Sequence, residues 1–147
     1  MSNPYEEFKK INILSAPNLE VVILLYNEAI NVLRASQEDF SLKKESFKEK
    51  IEAAERIIRF LRSNLDFEKG KQISKNLSFL YSHFSSQLEV AKQGISLTDS
   101  IISGVIKLLS KIRDAWIEVA DEQSKKNQQL QSTDSLLPAK GNFMIDS

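Results

Sequence analysis

Four long stretches of this sequence repeat apolar residues every three or four positions, which leaves little besides packed α-helices open to the chain. Residues that recur at i, i+3, i+4 and i+7 lie on one side of an α-helix, whereas a half-buried strand requires strict alternation. Only 4 Gly and 3 Pro occur among the 147 residues, which favours long helices over the many turns of a sheet. The spacing therefore predicts an all-α protein.

The apolar residues on one side of each helix form a stripe, and the four stripes set the predicted helix bounds. The helices are expected over residues 17–38, 42–65, 71–93 and 98–126, with Ser41 and Thr98 as capping residues and Gly94 as a left-handed residue. The stripes are Leu19, Ile23, Tyr26, Ile30 and Leu33; Phe47, Ile51, Ala54, Ile58, Leu61 and Leu65; Ile73, Leu77, Leu80, Phe84, Leu88 and Ala91; and Ile101, Val105, Leu109, Ile112, Trp116 and Val119. Long helices joined by short loops pack antiparallel, so the predicted fold is an antiparallel four-helix bundle.

The two ends of the chain lack this regular spacing. Residues 1–16 mix apolar and charged residues, and they are interpreted as an N-terminal cap segment that is either extended or a short extra helix. Residues 127–147 are rich in Gln and Ser and are predicted to be a disordered, flexible tail. One helical domain is therefore expected, over residues 17–126.

Composition argues against several classes of function. Lys and Arg number 20, and Asp and Glu also number 20, so no net field gathers phosphates and no nucleic-acid partner is expected. The chain has no Cys and a single His, His83, and Leu80 stands where a di-iron bundle would need a Glu before that His. No catalytic residue, metal site or cofactor is predicted, and the protein is not expected to be an enzyme.

The N-terminal sequence and the hydropathy pattern predict a cytosolic protein. The first residues lack the basic and apolar regions of a secretory signal. The longest apolar run, from Val21 to Tyr26, is too short for insertion into a membrane.

Apolar residues beyond the four stripes indicate a binding surface. Val21, Leu25 and Val32 are predicted on the side of the first helix away from its stripe, and Phe60, Phe79 and Val90 also stand off the stripes of their helices. An apolar groove of this kind suits an amphipathic helix or an apolar disordered segment. Two alternatives remain at this point: residues 1–16 close the groove permanently, or the surface joins two copies of a self-associating bundle that serves another protein partner.

Motifs in the first half of the chain resemble those of a known family. Asn3-Pro4-Tyr5-x-x-Phe8 is similar to its Asn-Pro-Tyr-x-x-Tyr, and Leu25-Tyr26-Asn27-Glu28-Ala29-Ile30 to its Leu-Tyr-(Asp/Asn)-x-Ala-Ile. The block from Leu65 to Tyr81, with Leu65-Asp66-x-x-x-Gly70 and Asn76-Leu77-x-x-Leu80-Tyr81, is the most specific part of the resemblance. The family is that of the FliS flagellar export chaperones.

The resemblance extends to about residue 120, and some positions depart from the family pattern. Arg113-Asp114-Ala115-Trp116 is similar to the Arg-(Asp/Glu)-x-Trp of the family's last helix. Phe8 replaces a Tyr, Pro17-Asn18 stands in place of Ser-Pro, and Lys92 stands in place of an Asn. The departures concern local details, while the order and intervals of the motifs agree.

The resemblance implies a chaperone that binds the C-terminal segment of flagellin, keeps it from polymerising and presents it to the flagellar type III export gate. It implies that Tyr5 and Phe8 belong to a cover over the groove, and it adds Tyr26, Asn76 and Tyr81 as motif residues, although Tyr26, Leu80 and Tyr81 are equally interpreted as core. The residues predicted to contact the client are Val21, Leu25, Val32, Phe60, Asn76, Phe79, Tyr81 and Val90.

Overall fold

The computed structural model describes residues 19–136 of the chain, with side chains described as far as residue 128. These residues form α1 (Leu19–Ser41), α2 (Phe47–Ser63), the one-turn α3 (Phe67–Gly70), α4 (Gln72–Ala91) and α5 (Thr98–Leu136), with no strand among them. The predicted all-α fold is confirmed. The predicted cap segment, including Tyr5 and Phe8, and residues 137–147 lie outside the described residues.

The four long helices pack in a ring, in which α1 contacts α2 and α5, and α4 contacts the same two helices. Hydrogen bonds between α1 and α5 show that these two run antiparallel. Gln37, near the end of α1, donates to Ser103 near the start of α5 at 2.8 Å. Arg113, farther along α5, donates to Asn27 in the first half of α1 at 3.0 Å.

The core contains apolar side chains from every long helix, and it corrects the predicted stripe of α1. The buried residues of α1 include Val22, Leu25, Tyr26, Ala29, Ile30 and Leu33, while Ile23 is only half-buried. Leu25 therefore belongs to the core and does not face a groove. Because α1 is covered by α2 on one side and α5 on the other, a wide arc of its surface is buried.

The core side of α4 also differs from its predicted stripe. Ser74 and Tyr81 are buried, whereas Ile73 is 65% exposed and Leu80 is half-buried. Both polar side chains have partners inside the protein: Ser74 donates to the carbonyl oxygen of Asp66 at 2.8 Å, and the hydroxyl of Tyr81 bonds that of Tyr26. Burial of a polar group costs little free energy when the group is hydrogen-bonded. Ser74 and Tyr81 can therefore face the core.

The connection between α1 and α2 corrects the prediction that Ser41 caps the second helix. Ser41 is the last residue of α1, and α2 begins only at Phe47. Asp39 links the two helices, because its carboxylate accepts hydrogen bonds from Lys50 and from Ser46. These bonds hold the pKa of Asp39 below its usual value.

A second charged cluster links the first half of α2 to the C-terminal end of α4. The ammonium of Lys92 lies 2.7 Å from Glu89, 3.0 Å from Glu55 and 3.6 Å from Glu52. Burial raises the pKa of Glu55, which is the most enclosed of the three carboxyl groups. Lys92, a departure from the family pattern, therefore serves as the cation of this network.

Helix α5 continues to Leu136, so the prediction of a disordered tail is wrong for residues 127–136. Residues 127–136 include three Gln and two Leu, which favour helix, and Pro138 is the first helix breaker that follows them. Residues 121–128 are all exposed. Apolar residues do not recur regularly here because this part of α5 does not pack against the described bundle, although it is helical.

Gly94 lies between α4 and α5, and Gly104 lies inside α5. Replacement by Ala is expected to have opposite effects on stability at these two positions. Gly94 has φ +67°, and an added Cβ would lie 3.3 Å from the ring of Phe47. Gly94→Ala is expected to destabilise the fold by about 1–2 kcal/mol. Gly104 is inside α5, and its Cβ would meet nothing within 4 Å, so Gly104→Ala is expected to stabilise by about 0.5–1 kcal/mol. Denaturant unfolding of both variants checks the pair, and equal effects would contradict it.

Candidate functional site

Two depressions follow one another along α4 and α5, of which the first is mainly apolar and the second has a mixed lining. The end cleft lies where α1 begins and α2 ends, and it has a volume of about 290 Å³. Its apolar lining consists of Leu19, Val22, Leu61, Leu65, Ile73, Leu77, Tyr81 and Trp116. The side groove lies farther along, between α4 and α5, with a volume of about 330 Å³.

The short helix α3 shapes one wall of the end cleft. Asp66 caps it by accepting hydrogen bonds from the backbone N–H groups of Glu68 and Lys69, both at 3.0 Å. A Cβ at Gly70 would lie 1.9 Å from the hydroxyl of Ser74, so only glycine lets this turn close against α4. The Leu65-Asp66-x-x-x-Gly70 motif therefore has a structural role in placing the start of α4 beside the cleft.

Two polar aromatic side chains, Tyr81 and Trp116, line the end cleft, and a third, Tyr26, is buried next to them. The hydroxyl groups of Tyr26 and Tyr81 are hydrogen-bonded to each other in the core, and burial raises the pKa of both phenols. The indole N–H of Trp116 is buried and makes no well-formed hydrogen bond within the described residues, although the indole lies near enough to influence the pKa of Tyr26. The three side chains come from α1, α4 and α5, so this group joins three helices in the core.

The side groove has a mixed lining of apolar and polar side chains and an open centre. Its lining is His83, Phe84, Gln87, Leu97, Ser100, Ile101, Gly104, Val105 and Leu108. Leu97 is 59% exposed and Leu108 is 40% exposed. Because Gly104 has no side chain and no neighbour fills the space beside it, the groove can accept an apolar side chain of another molecule.

The predicted client-contact residues do not gather at one place. Val21 and Val32 are half-buried against the core, and Phe60 is half-buried on α2. Tyr81 lies in the floor of the end cleft with 2% exposure, while Asn76 is exposed and accepts a hydrogen bond from Gln72 at 2.9 Å. Phe79 and Val90 are exposed on the outer face of α4, away from both depressions.

Sequence reasoning missed most of the residues of the side groove. Leu97 lies in the loop before α5, and Leu108 lies beside the stripe of that helix, so neither belongs to a regular period. The signal that could have found them is Gly104, since a glycine inside a helix costs stability and indicates a reason for the missing side chain.

Neither a metal-binding group of side chains nor a membrane-spanning helix is found among the described residues. Within residues 19–128, no three His, Asp or Glu side chains are grouped so as to hold a metal ion. None of the helices in residues 19–136 is long and apolar enough to cross a bilayer.

Comparison with known proteins places the chain by its sequence. The family model described as "Flagellar protein FliS" matches residues 1–123. Comparison with curated proteins gave no significant match. Comparison with solved structures gave none either.

The bond between Tyr26 and Tyr81 predicts that the two residues are coupled in stability. Tyr81→Phe leaves the hydroxyl of Tyr26 buried without its partner, so a loss of about 1–3 kcal/mol is expected, and Tyr26→Phe is expected to cost a similar amount. The double variant has no orphaned hydroxyl and is expected to lose less than the sum of the two. Chemical denaturation of the three variants measures this coupling, and strictly additive losses would show that the hydroxyl pair is not an important interaction.

Proposed function

The chain belongs to the FliS family of flagellar chaperones, and we propose that its client is the C-terminal segment of flagellin, bound along α4 and α5. The family is one of chaperones for a client protein and not of enzymes. The observation that carries the proposal is the succession of two depressions along α4 and α5, in which the apolar end cleft is followed by a side groove that exposes Leu97 and Leu108.

The chemistry of the two depressions suits an apolar segment that becomes helical on binding. Burial of a Leu side chain contributes about 1.5–3 kcal/mol, and Leu97, Leu108 and Ile73 all have large exposed fractions. Between the two depressions, Leu80 and Ile112 are half-buried, so the path from one to the other is also apolar. An amphipathic helix laid along α4 and α5 would cover all of these residues.

The proposed mechanism follows from competition for the same client surface. While the C-terminal segment of flagellin is held on the chaperone, it is unavailable for contacts with other flagellin molecules, so polymerisation is suppressed by mass action. A client that orders on binding spends part of its binding energy on that ordering, which allows release. We place this step in the cytosol, with the flagellar type III export gate as the partner that receives the client.

We further propose that residues 1–16 form a removable cover over the end cleft, with Tyr5 and Phe8 as its apolar residues. Leu19, the first described residue, lines this cleft, so the preceding chain starts within reach of it. In this arrangement the cover and the client compete for the same apolar surface.

A second candidate function is self-association into a homodimer. It is favoured by Phe79, which is 75% exposed, and by Val90, three turns farther along the same face of α4. A mass that rises with concentration in sedimentation, and that Phe79→Ser abolishes, would support this candidate.

The side groove gives a direct test of client binding. Gly104→Leu places a side chain in the open centre of the groove and is expected to weaken binding of the C-terminal flagellin segment by about tenfold or more, since one excluded Leu-sized group corresponds to at least about 1.4 kcal/mol. Titration calorimetry with the isolated segment measures the affinity. The matched control is Ser124→Leu, which adds the same side chain to the exposed part of α5 and is expected to leave the affinity unchanged. Unchanged binding by a folded Gly104→Leu protein would remove the side groove from the client site.

The proposed cover predicts the effect of deleting residues 1–16. If the segment competes with the client, its deletion is expected to raise client affinity severalfold, and Phe8→Ala is expected to act in the same direction. Calorimetry on the two proteins checks this, and weaker binding would mean that the segment helps to hold the client.

A further inference from the structure

The outer face of α2 carries a third depression, which shares no lining residue with the end cleft or the side groove. It has a volume of about 780 Å³ and is lined by Arg56, Arg59, Phe60, Arg62, Ser63, Phe67 and Ser78. We call its three arginines, Arg56, Arg59 and Arg62, the arginine face. They recur every three residues, so their side chains leave α2 on one broad side, and all three are exposed.

The arginine face is not neutralised by the rest of the described chain. None of its guanidinium groups lies within ion-pair distance of a carboxylate in residues 19–128, where the ion pairs involve Lys48, Lys50, Lys92 and Arg113 instead. Arg62 donates a hydrogen bond to the hydroxyl of Ser78 at 3.3 Å. The hydrogen bond with Lys92, at 2.7 Å, is the main cause that lowers the pKa of Glu89, and the nearby charge of Arg59 lowers this pKa further.

Helix stability gives each of the three arginines only a small role. A cation in the last turn of a helix interacts favourably with the helix dipole, but this effect falls off beyond that turn. Since α2 ends at Ser63, this effect applies to Arg62. Arg56 and Arg59 stand four residues after Glu52 and Glu55, a spacing that favours a helix weakly and leaves both guanidinium groups exposed. Between Arg56 and Leu65 the sequence has no acidic residue, and Glu55 and Asp66 flank this stretch.

The same depression offers apolar contact beside the positive charge. Phe67 is 49% exposed, and Phe60 is half-buried next to it in the lining. Guanidinium groups bind carboxylates through paired hydrogen bonds, while an exposed aromatic ring favours a large apolar side chain. The lining therefore suits a peptide that carries both features.

We propose that the arginine face binds an acidic segment of a partner protein, with its carboxylates on Arg56, Arg59 and Arg62 and an apolar side chain against Phe67. A nucleic acid fits less well, because three cations on a chain of zero net charge give no extended positive track. The face lies on α2, diagonally across the bundle from α5, so this partner and a client on the side groove can be bound together. This inference is independent of what the client is.

The test uses the full chain and a labelled synthetic peptide in which Glu alternates with Phe and Leu, followed by fluorescence anisotropy. We expect saturable binding that the triple variant Arg56→Gln, Arg59→Gln, Arg62→Gln weakens by about tenfold or more. The matched control is Arg34→Gln, an exposed arginine on α1, which is expected to bind as the parent does. A peptide with Gln in place of Glu is expected not to bind.

Other results would overturn the proposal, provided that circular dichroism shows the triple variant to be folded. They are equal binding of the Glu and Gln peptides, undiminished binding by the triple variant, or tighter binding of a single-stranded oligonucleotide of equal charge. Gly104→Leu is expected to retain the acidic peptide, so failure at the arginine face is distinguishable from failure of the client site.

Discussion

The burial of α1 between α2 and α5 is the constraint on which the rest of the bundle depends. Tyr26, Ala29, Ile30 and Leu33 of α1 are fully enclosed, and each pair of helices that α1 joins is also fixed by polar contacts. Asp39 ties the end of α1 to the start of α2, and Asn27 receives a hydrogen bond from Arg113 of α5. With these three helices placed, α4 closes the ring by its contacts to α2 and α5. The side groove exists because α4 and α5 do not close completely along their outer seam, where Gly104 leaves a gap.

The sequence predicted the fold where apolar spacing alone decides which side of a helix is buried. Helix α2 is the best case, because Phe47, Ile51, Ala54, Ile58 and Leu61 all lie in the core as the heptad spacing indicates. Gly94 also has the left-handed backbone expected of it. Prediction was less accurate for α4, where the buried hydroxyl groups of Ser74 and Tyr81 decide the orientation. Whether a buried hydroxyl has a hydrogen-bond partner depends on residues distant in sequence. The spacing of apolar residues along one helix does not show this.

The candidate site was harder to predict than the fold for a related physical reason. A groove is a space between two helices, and its lining depends on their relative rotation and on which side chains are missing. Leu25 lies off the predicted stripe but is buried, because α1 is covered on two sides. Phe79 and Val90 lie off the stripe of α4 and are indeed exposed, but they face away from both depressions.

The length of α5 gives the molecule a strongly asymmetric shape. Its 39 residues extend about 58 Å at 1.5 Å per residue, whereas the 23 residues of α1 extend only about 35 Å. Residues 121–128 of α5, beyond Trp116, are polar and exposed. This part of the helix therefore acts as a semi-rigid arm that sets the distance between the bundle and the residues that follow Leu136. Such an arm makes rotational diffusion anisotropic, so its amide groups relax on a different timescale from those of the bundle.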